Sequence, residues 1–342
     1  MKLKLLFAFG LLLWSGAGNI FAQDIHFTQF EFSPLHVNPA NVGGFNGSYR
    51  IGGIFRDQAA SITGLGSEFR TLNFYIDATF PWGFRKKDWV GFGMNFLQDR
   101  SGAIGLGTGG FIAQASYHLA LSRGSDLSLG AQYGGVNMNI KNKDKAVFES
   151  GINNPGGGSA DLGKLQDKAN FTDISIGLAY NTYLSSKKHG LKFGFNAGRV
   201  NNPRVSLSSG GTGNKLGTLF TAQAGMDYHL NEKVDVRPML WIRNLKTFTT
   251  VVPQCMVSYL FNVEKGIRLN GGLGYRIGDA AQVMVGMDIK KIRFQVGYDQ
   301  TLSSLSSSQS PSGFGAIEFG LMYIGTVTKK PNPKPKVFCP RF

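Results

Sequence analysis

The sequence predicts an all-β fold: a transmembrane outer-membrane β-barrel of about fourteen antiparallel strands. Three observations predict it. The first is a period of two. Between residues 67 and 80, Arg70, Leu72, Phe74, Ile76, Ala78 and Phe80 fall on one side; Thr71, Asn73, Asp77 and Thr79 fall on the other, with Phe69 and Tyr75 among them. Successive side chains of a strand point to opposite faces, so this stretch has one apolar and one polar face, and the pattern recurs about a dozen times. The second is composition. Glycine makes up 47 of 342 residues, above the roughly 7% of average proteins, which suits strands and tight turns better than amphipathic helices. After the N-terminal region no apolar run approaches the roughly 20 residues of a spanning helix. The third is that short and long connections alternate along the chain, as they do in barrels with short periplasmic turns and longer outside loops.

Taken in order, residues 1–22 read as a signal peptide. Lys2 and Lys4 precede an apolar run broken only by Gly10, and Ala22 offers a small residue for cleavage before Gln23. Residues 23–46 form a periplasmic lead containing His26, Phe27, Phe30, Phe32, Pro34, Asn38, Pro39 and Ala40, whose aromatics suit a plug packed in the barrel mouth. The barrel takes residues 47–325, with strands near 47–58, 67–80, 89–99, 108–121, 126–140, 171–184, 190–200, 216–230, 233–244, 249–261, 265–277, 281–289, 291–301 and 314–325. The clearest is near 291–301, where Ile292, Phe294, Val296 and Tyr298 oppose Arg293, Gln295, Gly297 and Asp299. Residues 326–342 hold four prolines among basic residues, which makes them an extended periplasmic arm.

The connections after even strands, 81–88, 122–125, 185–189, 231–232, 262–264 and 290–291, run from two to eight residues; after odd strands, 59–66, 100–107, 141–170, 201–215 and 302–313 run from eight to thirty, and only the ninth and eleventh strands are followed by short odd-side connections. A soluble sandwich has no reason to sort its loops in this way. The sorting also gathers charge: Lys86, Lys87, Lys187, Lys188, Lys290 and Lys291 lie on the short-turn side, joined by Lys329, Lys330, Lys334, Lys336 and Arg341 of the tail. These are candidate contacts for an acidic periplasmic partner, since charge complementarity steers association; the plain alternative is solvated turn residues. Loss of Lys2 and Lys4 lowers the formal charge from +15 to +13, and an exported chain has lipid or protein, not nucleic acid, as the partner for that field.

No chemistry emerges from the motifs. Gly105, Gly107 and Gly110 have dinucleotide-loop spacing, but the next run is β-patterned and the fingerprint needs a helix. The five histidines are scattered without metal-ligand spacing, and no serine sits in a Gly-x-Ser-x-Gly elbow. Catalytic, cofactor-binding and metal residues are therefore not assigned, and no cofactor is expected. Cys255 and Cys339 make no metal spacing; an oxidising periplasm permits a disulfide, while a strand position for one and a tail position for the other weigh against it.

The chain resembles the PorP/SprF family of outer-membrane proteins of type IX secretion and gliding. The residues that carry the likeness are Gln23 to Phe30, Ser33-Pro34-Leu35, Asn38-Pro39-Ala40, Tyr49-Arg50, Phe55-Arg56-Asp57-Gln58, Gly274 to Asp279, Gly297-Tyr298-Asp299, Leu302 to Leu305 and Cys339 to Phe342. One departure is Asp57-Gln58-Ala59, where Asn-Gln-Trp is the family expectation. The resemblance implies an integral cell outer-membrane barrel without catalytic residues. It would anchor or assist export of a secreted partner protein through that partner's adhesin C-terminal domain, and dock periplasmic secretion or gliding components. Loops 141–170 and 201–215 would contact partners outside. The Asn-Pro-Ala lead also resembles the hatch of long-chain fatty-acid transporters, so the alternative is a channel for hydrophobic small molecules.

Overall fold

The computed structural model describes residues 25–58, 69–102, 104–122, 124–146, 162–184, 189–209, 213–246, 248–302 and 315–327. The expected signal peptide, Lys187, Lys188, Lys329, Lys330, Lys334, Lys336, Cys339 and Arg341 lie outside them. The described strands are β1 (Tyr49–Asp57), β2 (Arg70–Phe80), β3 (Trp89–Ser101), β4 (Leu106–Ser122), β5 (Ser125–Ile140), β6 (Lys168–Leu184), β7 (His189–Gly198), β8 (Arg204–Val205), β9 (Asn214–Lys215), β10 (Leu219–His229), β11 (Val234–Leu245), β12 (Phe248–Asn262), β13 (Ile267–Arg276), β14 (Ala280–Ile289), β15 (Ile292–Thr301) and β16 (Gly315–Gly325).

Apart from the small β8–β9 hairpin, these strands pair antiparallel with their sequence neighbours, and β16 closes on β1 from Tyr49↔Gly325 to Asp57↔Ile317. The result is a closed barrel of fourteen strands, which leaves no edge with unpaired backbone. No helix among the described residues is long and apolar enough to cross a membrane.

The period of two fixes which face is which. In β2, Leu72, Phe74 and Ile76 are exposed on the outside, while Thr71, Asn73, Tyr75 and Asp77 are buried inside; Phe74 is 48% exposed and Tyr75 0%. The same inversion holds around the wall, with Phe111, Leu129, Phe195, Val257, Val285 and Phe319 outward and Gln114, Ser128, Asn196, Ser258, Gln282 and Glu318 inward. Burial of polar positions and exposure of apolar ones is the arrangement of a barrel solvated by hydrocarbon. Cys255 is a free, exposed thiol in β12.

Two connections differ from the sequence expectation. The turn after β3 is shorter than the 100–107 loop, because Arg100↔Gly107 and Ser101↔Leu106 still pair and Gly102 and Gly105 close the turn at φ +75° and +61°. Consequently Gly107, expected in the loop, belongs to β4, as Gly110 does. The loop near 201–215 contains β8 and β9, and it meets the loop after β5: Gln166 N–H donates to Leu207 O (2.8 Å) and Ser209 N–H to Lys164 O (2.7 Å). The two longest described connections thus bear on each other at one end of the barrel.

Candidate functional site: the lumen segment and the short-turn face

Residues 25–48 run through the barrel interior before entering β1. Proline and asparagine set the local conformation. Pro34 starts the short helix α1 (Pro34–Val37), and Asn38 ends it in extended geometry. Asn38 Oδ1 then accepts from Ala40 N–H (2.9 Å), capping the 3-10 turn Pro39–Asn41. The apolar side chains pack in two groups. Phe27, Phe32, Leu35 and Val42 join Ile54, Tyr75, Leu97 and Met322 of the wall; Phe30 and Val37 join Trp241 and Val252, with Phe30 stacked on Trp241 at 6.2 Å. Burying each such side chain is worth about 1.5–3 kcal/mol.

At the long-loop end the segment is held by charge. Glu318 accepts from Thr28 N–H (2.8 Å) and Gln29 N–H (2.9 Å), and it pairs with Arg56 at 2.5 Å. Asp299 accepts from the Thr28 hydroxyl (3.0 Å) and pairs with Arg56 (3.2 Å) and Arg276. Arg276 also meets His26, and Arg243 meets Ile25 O. Gln254 donates to Thr28 O (2.8 Å). Arg56, Asp299 and Glu318 are at most 4% exposed. A buried carboxylate in such a place needs paired cations and backbone donors, and here it has both. Residues Arg56, Arg276 and Asp299, scattered through three of the sequence motifs quoted above, converge on this one cluster; Asp57 instead faces outward against Arg70 (3.0 Å).

Midway, the segment lies directly against the backbone of the wall. Asn38 Nδ2 donates to Leu178 O (2.9 Å) and Phe195 O (3.3 Å), across the β6–β7 pair. Two wall glycines permit this approach: a Cβ on Gly177 would overlap Asn38 Oδ1, and one on Gly130 would overlap Pro39 C and Ala40 N. Nearby, Gln114 donates to Leu35 O (2.9 Å) and Arg237 lies 3.4 Å from Glu31. Burial pushes the Glu31 carboxyl up, but Arg237, Arg293 and Lys192 together outweigh it and hold the group below its ordinary value.

At the short-turn end the holding groups are aromatic rings and polar side chains around one ion pair. Asp77 accepts from Gly43 N–H (2.8 Å) and from Arg50 Nε (2.9 Å), whose guanidinium also lies 4.6 Å from the Phe45 ring centroid and donates to Asn41 O (3.1 Å). Trp89 Nε1 donates to Gly43 O (3.1 Å). Val42 O accepts from the Ser116 hydroxyl (2.5 Å) and from His118 Nε2 (2.7 Å), so Nε2 carries a proton. His118 is stacked on Trp89 (4.7 Å) and bonded to the Ser128 hydroxyl (2.7 Å).

The sequence-predicted residues thus fall into two sets. Phe27, Phe30, Phe32, Asn38, Pro39 and Ala40 are all buried in the lumen. Lys86, Lys87, Lys290 and Lys291 are exposed at the short-turn end. Between Lys86 and Lys87 and the wall, Asp88 organises the turn: it accepts from Arg85 Nε (3.0 Å), the Tyr117 hydroxyl (2.6 Å) and Ala120 N–H (3.0 Å). The Arg85 hydrogen bond, joined by those of Tyr117 and Ala120, prevails over burial and holds the Asp88 carboxyl far below the usual carboxylate range. Sequence reasoning singled out neither Glu318 nor Asp77; both were visible as acids at inward parity of a strand, the signal that marks them in retrospect.

Known proteins agree with this architecture. The family described as type IX secretion system membrane protein PorP/SprF matches residues 19–317. No curated protein sequence matches the chain. Among solved structures, the chain is similar to the Ralstonia pickettii toluene transporter TbuX (TM-score 0.52, 9% identity, 86% of this chain and 93% of that one). It is also similar to the Pseudomonas putida toluene transporter TodX (0.51, 10%, 85% and 92%) and to the monoaromatic hydrocarbon channel CymD (0.54, 10%, 87% and 93%). At such identities the likeness concerns the fold.

Proposed function

Because this chain belongs to the type IX secretion system membrane protein PorP/SprF family, we propose that it is an outer-membrane platform. In this reading it anchors a secreted protein by its adhesin C-terminal domain, or assists its export, and docks periplasmic machinery of acidic character. The observation that carries the proposal is the occupied lumen. Residues 25–48 act as a plug, fixed by the Glu318–Arg56–Asp299 cluster at one end and the Asp77–Arg50 pair at the other. A barrel closed by its own chain suits fastening a partner better than passing one. The joined loops after β5 and β7 offer the outward contact surface, and Lys290 and Lys291 with Lys187, Lys188 and the tail offer the periplasmic one. Catalysis has no part in the reading.

The test is recovery of partners. Gentle detergent extraction of the tagged full chain should bring a large secreted protein and periplasmic components with it. Reversing Lys187, Lys188, Lys290 and Lys291 to Glu, or deleting residues 328–342, should leave the barrel inserted and reduce recovery of the periplasmic components. Unchanged recovery from both variants would sink the periplasmic half of the proposal.

A second reading, a channel for hydrophobic small molecules, has one observation of its own. An apolar recess of about 380 Å³ lies in the outer wall, lined by Leu178, Tyr180, Phe193, Phe195, Ala222 and Ile242, and barrels of similar fold include a toluene transporter and a monoaromatic hydrocarbon channel. Uptake of toluene by vesicles holding the purified chain would favour it.

A further inference from the structure

We propose that the turn joining β2 to β3, residues 81–88, is an interfacial site for the headgroup of an anionic phospholipid. The sequence there is Pro-Trp-Gly-Phe-Arg-Lys-Lys-Asp. Trp82 is 63% exposed and Phe84 98%, which is unfavourable for rings of that size in water. Each ring is nonetheless placed by a partner. Trp82 stacks on Phe80 (4.9 Å, 26°), and Phe84 lies against Tyr117 (5.6 Å). Phe80 and Tyr117 occupy outward positions of β2 and β4, so the two exposed rings continue the lipid-facing band past the strand ends. Aromatic rings at that level belong to the headgroup region of a bilayer.

Charge completes the site. Arg85 is neutralised by Asp88 through two hydrogen bonds (3.0 and 2.9 Å), and Asp88 in turn ties the turn to Tyr117 and Ala120 of β4. Phe84 N–H donates to the Tyr117 hydroxyl (3.1 Å), fixing the ring-bearing backbone to the same strand. Lys86 and Lys87, by contrast, are exposed and have no acidic partner among the described residues. A rigid turn therefore presents two unpaired ammonium groups beside two interfacial rings. Phosphate at headgroup depth complements that arrangement, and basic residues near a membrane surface are attracted by anionic lipid. The other described lysine pair, Lys290 and Lys291, is flanked by Ile289 and Ile292, with no aromatic residue in the turn itself. The occupant follows from this continuity with the lipid band together with the charge. It does not depend on what the barrel carries.

Trp82 supplies the probe. Trp241 is buried and Trp89 is partly buried against His118, so Trp82 is the outward-facing indole among the described residues. The full-length protein is reconstituted into phosphatidylethanolamine vesicles carrying a small, fixed fraction of either brominated phosphatidylglycerol or brominated phosphatidylethanolamine. A Trp82→Phe variant isolates the Trp82 signal. Quenching of that signal by the brominated anionic lipid should exceed quenching by the zwitterionic one roughly twofold, and the excess should vanish at high salt. The Lys86→Gln/Lys87→Gln double variant should equalise the two lipids while keeping overall quenching. Equal quenching in the unmodified protein would overturn the proposal. So would an absence of quenching by either lipid, which would leave the turn clear of the bilayer and available to an acidic protein.

Discussion

The two ends of the lumen segment are held by different physics. At the long-loop end, backbone N–H groups of Thr28 and Gln29 point into a buried carboxylate that is itself neutralised by Arg56. At the short-turn end, a single ion pair has Phe45 against its guanidinium, while Trp89, His118 and the Ser116 hydroxyl meet the backbone of residues 42–43. The difference teaches where each end is fragile. Each end has a buried ion pair that is costly to break, but only at the second is the backbone also held by several neutral hydrogen bonds and ring contacts, any one of which can be lost without stranding a charge.

The largest effect should therefore come from Glu318→Ala. It leaves Arg56 short of a partner and frees two backbone donors, so unfolding by urea in lipid vesicles should show a loss of about 3–5 kcal/mol, with residues 25–30 becoming accessible to protease. His118→Ala should cost less, and protease should then find the segment near Val42 and not near Thr28. Equal damage from both would break the comparison.

The middle of the segment sharpens it. Gly177→Ala places a methyl where Asn38 Oδ1 stands, an overpacking worth about 1–3 kcal/mol. Asn38→Ala forfeits the bonds to Leu178 O, Phe195 O and Ala40 N, at about 1–3 kcal/mol. Combined, the two should cost clearly less than their sum, because truncating the Asn38 side chain vacates the space that the new methyl needs. Strict additivity in the double-mutant cycle would show that the contact is not made.

The smallest effect concerns pH. Asp88 titrates below its unfolded value, so its contribution is fully present above the ordinary carboxylate pKa of about 4 and is lost as pH falls through the lower folded value. Unfolding midpoints should therefore be flat from neutral pH down to about 4 and decline below that, more steeply in the parent than in an Asp88→Asn variant.

Much of the wall was legible in the sequence because hydrocarbon imposes the same parity on every strand. β15 shows this well: Phe294, Val296 and Tyr298 point outward, Gln295 and Asp299 inward. The β3–β4 turn was less legible, since Gly107 reads as loop yet sits in β4, where pairing with β3 and β5 decides the conformation. Within the lumen, the polar character of Arg56, Asp299 and Glu318 could be read from their inward parity. Their mutual contact could not, because Arg56 and Glu318 lie 262 positions apart and only barrel closure brings β1 to β16. The aromatic residues of the lead segment declared burial, but nothing in the sequence specified that Gly130 and Gly177 would be its seats.

At stake is whether this closed barrel holds a partner or conducts a small molecule. Native mass spectrometry of the full-length protein, extracted from its own outer membrane in mild detergent, tests that most directly. A barrel that holds a partner yields a species whose mass is the barrel plus a secreted protein, and this is the expected result. A barrel that flies alone, carrying a hydrophobic small molecule in its wall or lumen, would contradict it.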